Sequence, residues 1–425
     1  MKKTNSAHLP APVEPRIESR DEQALVPSQT DWLRIGQFVF SSLAALALLG
    51  FSLISIIVSF IQNSRSPLGI AVGSDLSPYL FAAGLGGMGL LMLPSAVSAA
   101  QRLFDSGSPR LLRWSGMNWI IFLALPLFLL GYWIQTGPNW SRGFLPVVHV
   151  FANFAAIFWL LDNARRKLPD QSASRFWGSF ASGLGLTTLV TFILEILILF
   201  GIGLVWTVLM SVEPEFRQDL LNLATQVQVL SGDATALQRA LGDFTARPGI
   251  LFTLFGYVAF LIPVVEELLK PVAVWLLLRR KLQPWEGFVI GATSGAGYAL
   301  FENLTIGAAA DIWSFVTLTR LGTAAVHIFT TGLTGWGLAS AFSEKKYSRA
   351  LGTFLGAVAL HGLWNGLNII AAVGEYPAVR ERIGTIGIIF SDYAPLALGL
   401  IALGSFWGLV RANKYFRRAI IAGSD

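Results

Sequence analysis

Ten stretches of this 425-residue chain are apolar over lengths that approach or exceed the ~20 residues an α-helix needs to cross a hydrocarbon core. They fall at about 37–61, 78–100, 117–136, 144–162, 182–210, 250–278, 285–309, 315–341, 350–373 and 384–410. Composition agrees with a membrane solvent. Hydrophobic residues make up 54% and charged residues 13%, whereas a soluble domain carries about 25% charged residues. The expected fold class is all-α: a polytopic transmembrane helix bundle of about ten spans in a cell membrane. The chain has no cysteine, which removes disulfides, thiolate nucleophiles and Cys-based metal sites.

The basic residues alternate from one connection to the next. Lys2, Lys3, Arg16, Arg20 and Arg34 precede the first span; Arg102, Arg110 and Arg113 follow the second. Arg165, Arg166, Lys167 and Arg175 follow the fourth, Arg279, Arg280 and Lys281 the sixth, and Lys345, Lys346 and Arg349 the eighth. With Arg411, Lys414, Arg417 and Arg418 at the end, 22 of 31 basic residues lie on one side. Positive-inside bias makes that side cytoplasmic and puts both termini there. The net charge of +6 is therefore a topology signal, and the expected surroundings are lipid, with no nucleic-acid partner.

Five regions follow. Residues 1–35 read as a disordered cytoplasmic tail, because Pro, Glu and Ser recur with no apolar run; Lys2-Lys3 is not followed promptly by an apolar core, so this is no signal peptide. A five-span bundle covers 36–210, an outer loop 211–249, a second five-span bundle 250–410 and a basic cytoplasmic tail 411–425. In the loop, Phe216, Leu220, Leu223, Val227 and Leu230 recur at helical spacing, as do Leu237, Leu241 and Phe244 after Ser231-Gly232-Asp233. Two short amphipathic helices on the outer surface fit that pattern, as a packed loop or as a lid.

Polar residues inside four consecutive spans carry the chemistry. An ionisable side chain at a helix centre costs roughly 2.5–3.5 kcal/mol on insertion scales, so each needs a compensating reason. The sixth span holds Glu266, Glu267 and Lys270. Glu266 and Lys270 are i,i+4 with the acid first, the favoured order for a helical ion pair. Glu267 lies about 100° away around the helix, so one glutamate can pair with Lys270 while the other stays available. A plain salt-bridge tether would need only one. The seventh span has small residues every fourth position, Gly287, Gly291, Gly295 and Ala299, then Asn303 and Gly307. That face permits close helix approach and would press Glu302 on the adjoining ridge against a neighbour, with the Glu266 helix one option. In the eighth span Arg320, Thr323, His327, Thr330 and Thr334 form one polar stripe; in the ninth, His361, Trp364 and Asn365 share a face. At ~1.5 Å per residue, Glu266, Glu302, His327 and His361 lie roughly 18–27 Å from their cytoplasmic flanks, which allows them to meet near the midplane.

Other motifs are weaker. Gly84-x-Gly86-x-x-Gly89 matches a dinucleotide fingerprint by letter, but it sits inside an apolar span with no strand before it, and helix packing explains it. Ser294 lacks the glycine two residues earlier that a rhomboid-type serine would have. Glu195, Asp392 and His149 read as structural tethers.

The blocks VVEELLKP (264–271), GATSGAGYALFENL (291–304), RLGTAAVHIFTTGLTG (320–335) and LHGLWNGLN (360–368) resemble those of PrsW-type intramembrane proteases, which group with the CAAX-processing and Abi-like membrane proteases. Four blocks in order over roughly 105 residues are fairly specific; the first five spans and the outer loop lie outside the resemblance. It implies an endopeptidase acting on membrane-spanning or membrane-anchored peptide substrates. It also implies Glu266, Glu267, Glu302, His327, His361 and Asn365 as catalytic residues, with Lys270, Asn303 and Arg320 in support. A glutamate in apolar surroundings beside a lysine and histidines can be tuned to deprotonate water, and the histidines and Asn365 can donate to an oxyanion. Catalysis without a cofactor is the favoured expectation. Zn²⁺ held by His327, His361 and a glutamate is the other option, although no His-Glu-x-x-His helix is present. A proton-coupled transporter uses similar residues, and a non-catalytic Abi-like scaffold would use them only to hold helices together. Oligomeric state is not encoded in any of these patterns.

Overall fold

A computed structural model describes residues 32–64, 76–104, 120–230 and 234–422, and all their regular structure is helical. Residues 1–31 of the expected 1–35 tail and the break at Ser231-Gly232-Asp233 lie outside the described residues. The first half contains α1 (Trp32–Ser64), α2 (Ser77–Phe104), α3 (Ile120–Thr136), α4 (Leu145–Arg165), α5 (Ala173–Ala181) and α6 (Thr188–Val212). The 211–249 segment contains α7 (Pro214–Val229) and α8 (Ala234–Thr245). The second half contains α9 (Pro248–Phe255), α10 (Ile262–Leu269), α11 (Val272–Leu277), α12 (Pro284–Thr305), α13 (Trp313–Glu344), α14 (Tyr347–Val373) and α15 (Pro377–Ala422). Helix α15 breaks at Gly384, whose φ of 64° and ψ of −178° suit glycine alone. Its second part runs on through the expected basic tail to Ala422, and α1 begins at Trp32, ahead of the expected boundary at 36.

Helices lie over the described parts of all ten expected spans, and among the described residues seven segments are long and apolar enough to cross a membrane. The three others are α3, which is short, and α12 and α13. The last two are the polar, small-residue helices, and their environment explains why. Fourteen consecutive α12 residues, Gly287–Leu300, are buried by protein. A helix surrounded by other helices does not need the uniformly apolar surface that lipid demands. By contrast α6 turns Phe192, Ile193, Leu197 and Phe200 outward, as a helix facing hydrocarbon should.

Small residues make α12 central. A Cβ on Gly291 would run into the Thr331 backbone, one on Gly287 into Gly335, and one on Gly295 would sit 2.7 Å from the His327 carbonyl oxygen. The small face therefore lies on α13. On its other side, Gly297 abuts Phe180, and Gly183 abuts Ser294, at a π-helical turn, Ser182–Thr187, between α5 and α6. The two halves thus share one core. Phe158 and Phe180 from the first half meet Phe288, Leu300 and Phe416 from the second. Gly84 packs against Leu304 and Gly89 against Leu49, which accounts for the apparent nucleotide fingerprint. His149 accepts from Trp313 Nε1 at 3.0 Å and contacts Asn153, and Asp392 pairs with Arg380; both are ties between segments.

Candidate active site

The sixth span is broken where its charges lie. A π-helical turn, Gly256–Leu261, precedes α10, and Pro271 separates α10 from α11. Proline has no N–H to return to the carbonyl of Glu267 four residues back, so the helix cannot continue unbroken past Lys270. The Lys270 carbonyl is capped from another helix instead: Ser294 Oγ of α12 donates to it at 2.5 Å. The break at Lys270-Pro271 is buried in protein, the setting that irregular backbone at membrane depth requires, whereas no residue of the Gly256–Leu261 turn is buried.

Four helices then converge. Glu267 and Lys270 are fully buried, and Glu266, His327 and His361 are 4%, 1% and 1% exposed. The Lys270 ammonium lies 2.5 Å from Glu266 Oε2 and 3.2 Å from Glu267 Oε1, so it reaches both glutamates, not one. The contact with Glu266 is an ion pair without hydrogen-bond alignment: Glu266 Oε2 has no hydrogen-bond partner. Lys270 also donates to His327 Nδ1 at 2.7 Å. Since that nitrogen accepts, the ring proton is assigned to Nε2, which donates to Glu302 Oε2 at 2.9 Å. Glu302 is further held by Arg320 Nη2 at 2.5 Å. Its neighbour is therefore α13, not the Glu266 helix.

Glu267 is fixed from three directions. Oε1 accepts from Lys270, from Thr330 Oγ1 at 3.0 Å and from His361 Nδ1 at 3.0 Å. Its second oxygen, Oε2, is buried without a hydrogen-bond partner. With Nδ1 of His361 donating, its Nε2 is left as acceptor, 3.8 Å from Glu266 Oε2. The two imidazoles face each other edge-on with ring centroids 4.9 Å apart. Each ring has one nitrogen held by a glutamate and the other directed toward Glu266 or Lys270.

The remaining expected residues stand around this group. Asn303 contacts Arg320 Nε at 3.1 Å and Asn153 of α4 at 3.2 Å, so it braces the arginine and does not touch the glutamate pair. Asn365 donates to the Val258 carbonyl at 3.0 Å, stitching α14 to the π-helical turn. Thr323 and Thr334 return their hydroxyls to their own helix, leaving Thr330 as the threonine of the polar stripe that reaches a glutamate. Tyr298 was not singled out by sequence. Its ring lies 5.5 Å from that of His327 and 4.6 Å from Lys270 Nζ, walling the ammonium with an aromatic face. The signal was present: Ser294, Tyr298 and Glu302 recur every four residues along α12.

Two imidazoles and a carboxylate also make a metal donor set. Ligand atoms of Glu266, His327 and His361 lie within 4.8 Å of one another. An ion there would have to displace the Lys270 ammonium from His327 Nδ1 and Glu266 Oε2, but the far sides of the two rings suit a metal. Metal-bound histidines usually donate their second nitrogen to a carboxylate, as His327 does to Glu302 and His361 to Glu267.

The fold and this group define a helical membrane-type bundle with a buried centre of glutamates, a lysine and histidines. Residues 176–390 match the PrsW family of intramembrane metalloproteases, just over half the chain, and the chain belongs to that family. Comparison with curated proteins and with solved structures gives no match.

Proposed function

We propose that this protein is an intramembrane endopeptidase that hydrolyses peptide bonds of membrane-spanning or membrane-anchored substrates, with Glu267 as the base. The observation that carries this reading is the asymmetry of Glu267. One carboxylate oxygen is fixed by Lys270, Thr330 and His361, while the other is buried with no partner. Such a carboxylate is oriented yet has a lone pair to spend. Glu267 Oε2 takes a proton from water as the water oxygen bonds to the scissile carbonyl carbon. The carbonyl oxygen gains the charge, and the Lys270 ammonium supplies the cationic environment that favours it, while the imidazole N–H groups stay on Glu302 and Glu267. Collapse breaks the C–N bond, and the proton held by Glu267 passes to the departing amine.

Glu266 has a different role in this account. It is the closer partner of Lys270 and a member of the metal donor set. Three carboxylates, Glu266, Glu267 and Glu302, face two fixed cations, Lys270 and Arg320, which leaves one net negative charge to favour a cation. Glu266, His327 and His361 would hold Zn²⁺, with a fourth position for water or substrate. When bound, the ion would supply Lewis-acid polarisation. Glu302 and Arg320 then orient His327, as Glu267 orients His361.

The test is cleavage of labelled single-span peptides by protein in liposomes. Wild type should cut at least one; Glu267→Gln should retain its fold and cut none. A Glu267→Gln protein that cleaves at the wild-type rate would remove Glu267 from the chemistry.

A further inference from the structure

The hydrogen bonds around Arg320 run past the glutamates and into the first half of the chain. Trp313, Arg320 and His327 recur every seven residues along α13, so they share one face of that helix. His149 and Asn153, one turn apart on α4, meet this face at two levels. Trp313 Nε1 donates to His149 Nδ1 at 3.0 Å. Further along α13, Arg320 Nε donates to Asn303 Oδ1 at 3.1 Å, and Asn303 Nδ2 donates to Asn153 Oδ1 at 3.2 Å. Asn153 Nδ2 in turn donates to the His149 carbonyl at 2.9 Å. Asn153, His149 and Trp313 are all buried, so these bonds are not exchanged for water.

The direction of this chain is set at its arginine end. A guanidinium can only donate, so Asn303 turns its oxygen to Arg320 and its amide nitrogen to Asn153, and Asn153 answers with its oxygen. Arg320 is thereby held at Nε, while its Nη2 holds Glu302, whose Oε2 accepts from His327 Nε2 at 2.9 Å. Asn153 lies outside residues 176–390, the part that matches the family. We infer that Asn153 is a positioning residue: it acts through Asn303, Arg320 and Glu302 to orient the His327 ring, and so gives the first half of the chain a part in the reaction. Its effect on rate rests on the peptidase reading above; its effect on the ring does not.

The experiment compares full-length wild type, Asn153→Leu and Asn413→Leu in liposomes. Leucine keeps a branched side chain and lacks the acceptor. Asn413, buried on α15 with its amide on the Ala164 and Arg166 carbonyls, controls for loss of a buried amide elsewhere. The chain has four histidines, so isotope-labelled histidine gives few ring-nitrogen signals, and those lost in His327→Ala belong to that ring. In Asn153→Leu the His327 shifts should move in the same direction as in Glu302→Ala; in Asn413→Leu they should stay. For a peptide that wild type cuts, kcat should fall about three- to tenfold in Asn153→Leu with KM unchanged. In an Asn303→Ala background the same substitution should change kcat no further, because members of one network are not additive. Should Asn153→Leu not fold, Asn153→Ser serves, since its hydroxyl returns to its own helix and falls short of Asn303. Wild-type His327 shifts in a folded Asn153 variant, or an unchanged kcat, would overturn the proposal. A wild type that cuts no peptide would remove the peptidase reading, and the His327 shifts, read without substrate, would still decide the positioning.

Discussion

Lys270 Nζ and His327 Nδ1 are 2.7 Å apart although 57 residues separate them in sequence. This contact joins α10 to α13 and places an ammonium within reach of two glutamates and an imidazole, all buried. The lysine thus occupies the position of the cation in a pocket that also suits a metal.

Removing it should be costly. Breaking a buried ion pair by deleting one partner destabilises by about 3–5 kcal/mol, because the other charge is left uncompensated. Lys270→Met should therefore lower the melting temperature clearly. Glu266→Gln added to Lys270→Met should restore part of the loss, as the more closely paired carboxylate goes with the lysine. A double variant no more stable than the single would show that Glu266 is not its principal partner.

The presence of this cluster could be read from sequence, but its wiring could not. Ionisable residues in apolar spans are expensive, so Glu266, Glu267, Lys270, Glu302, His327 and His361 stand out as soon as the spans are marked. The small-residue row on α12 also reads directly as a packing face. Which neighbour it meets depends on helix order in space, and Glu302 accordingly faces Arg320 and His327, not α10. Asn365 shares its helix with His361, yet its amide is used by the Val258 carbonyl, because the π-helical turn there frees a backbone acceptor that no side-chain pattern announces. The positions of Lys270 near both glutamates and of Ser294 on its carbonyl depend on the break at Pro271, whose effect on rotamers is a tertiary matter.

Packing between α12 and α13 gives a stability test. A methyl group at Gly291 would meet the Thr331 backbone, which has little room to yield. Gly291→Ala should cost about 1–3 kcal/mol, the usual range for overpacking, and lower the Tm. Gly36→Ala, at a position with open space around its Cβ, should leave the Tm unchanged or slightly higher. Equal behaviour of the two would contradict the close helix contact.

Positioning of His327 should be separable from its chemistry. Glu302→Ala removes the carboxylate that holds Nε2, and loss of such an outer partner costs about 10–100-fold in activity or metal affinity. His327→Ala should cost more, as it deletes the imidazole itself. An unchanged rate in Glu302→Ala would make that carboxylate a simple tether for Arg320.

Metal content offers an independent readout. Elemental analysis of purified protein should find zinc at about one ion per chain, the occupancy of a single three-residue donor set. His327→Ala, His361→Ala and Glu266→Gln should lower it, Glu267→Gln should keep it, and a chelator should silence cleavage. Zinc-free protein that cleaves in the presence of chelator would assign the reaction to the glutamates without an ion.

Topology follows from charge. With most basic residues in alternate connections, a reporter fused after Asp425 should report the cytoplasm. A signal from the opposite side would invert the orientation of the whole bundle.

The most direct measurement is the rate at which Glu267→Gln in liposomes cleaves a panel of labelled single-span peptides, read beside its melting curve. Glutamine keeps the size of the side chain and the bonds at one oxygen but cannot accept the proton from water. The variant should melt within a few degrees of wild type and show no cleavage of any peptide that wild type cuts. Cleavage at the wild-type rate by Glu267→Gln, or a wild-type protein that cuts none of the panel, would contradict the assignment of Glu267 as the base of an intramembrane peptidase.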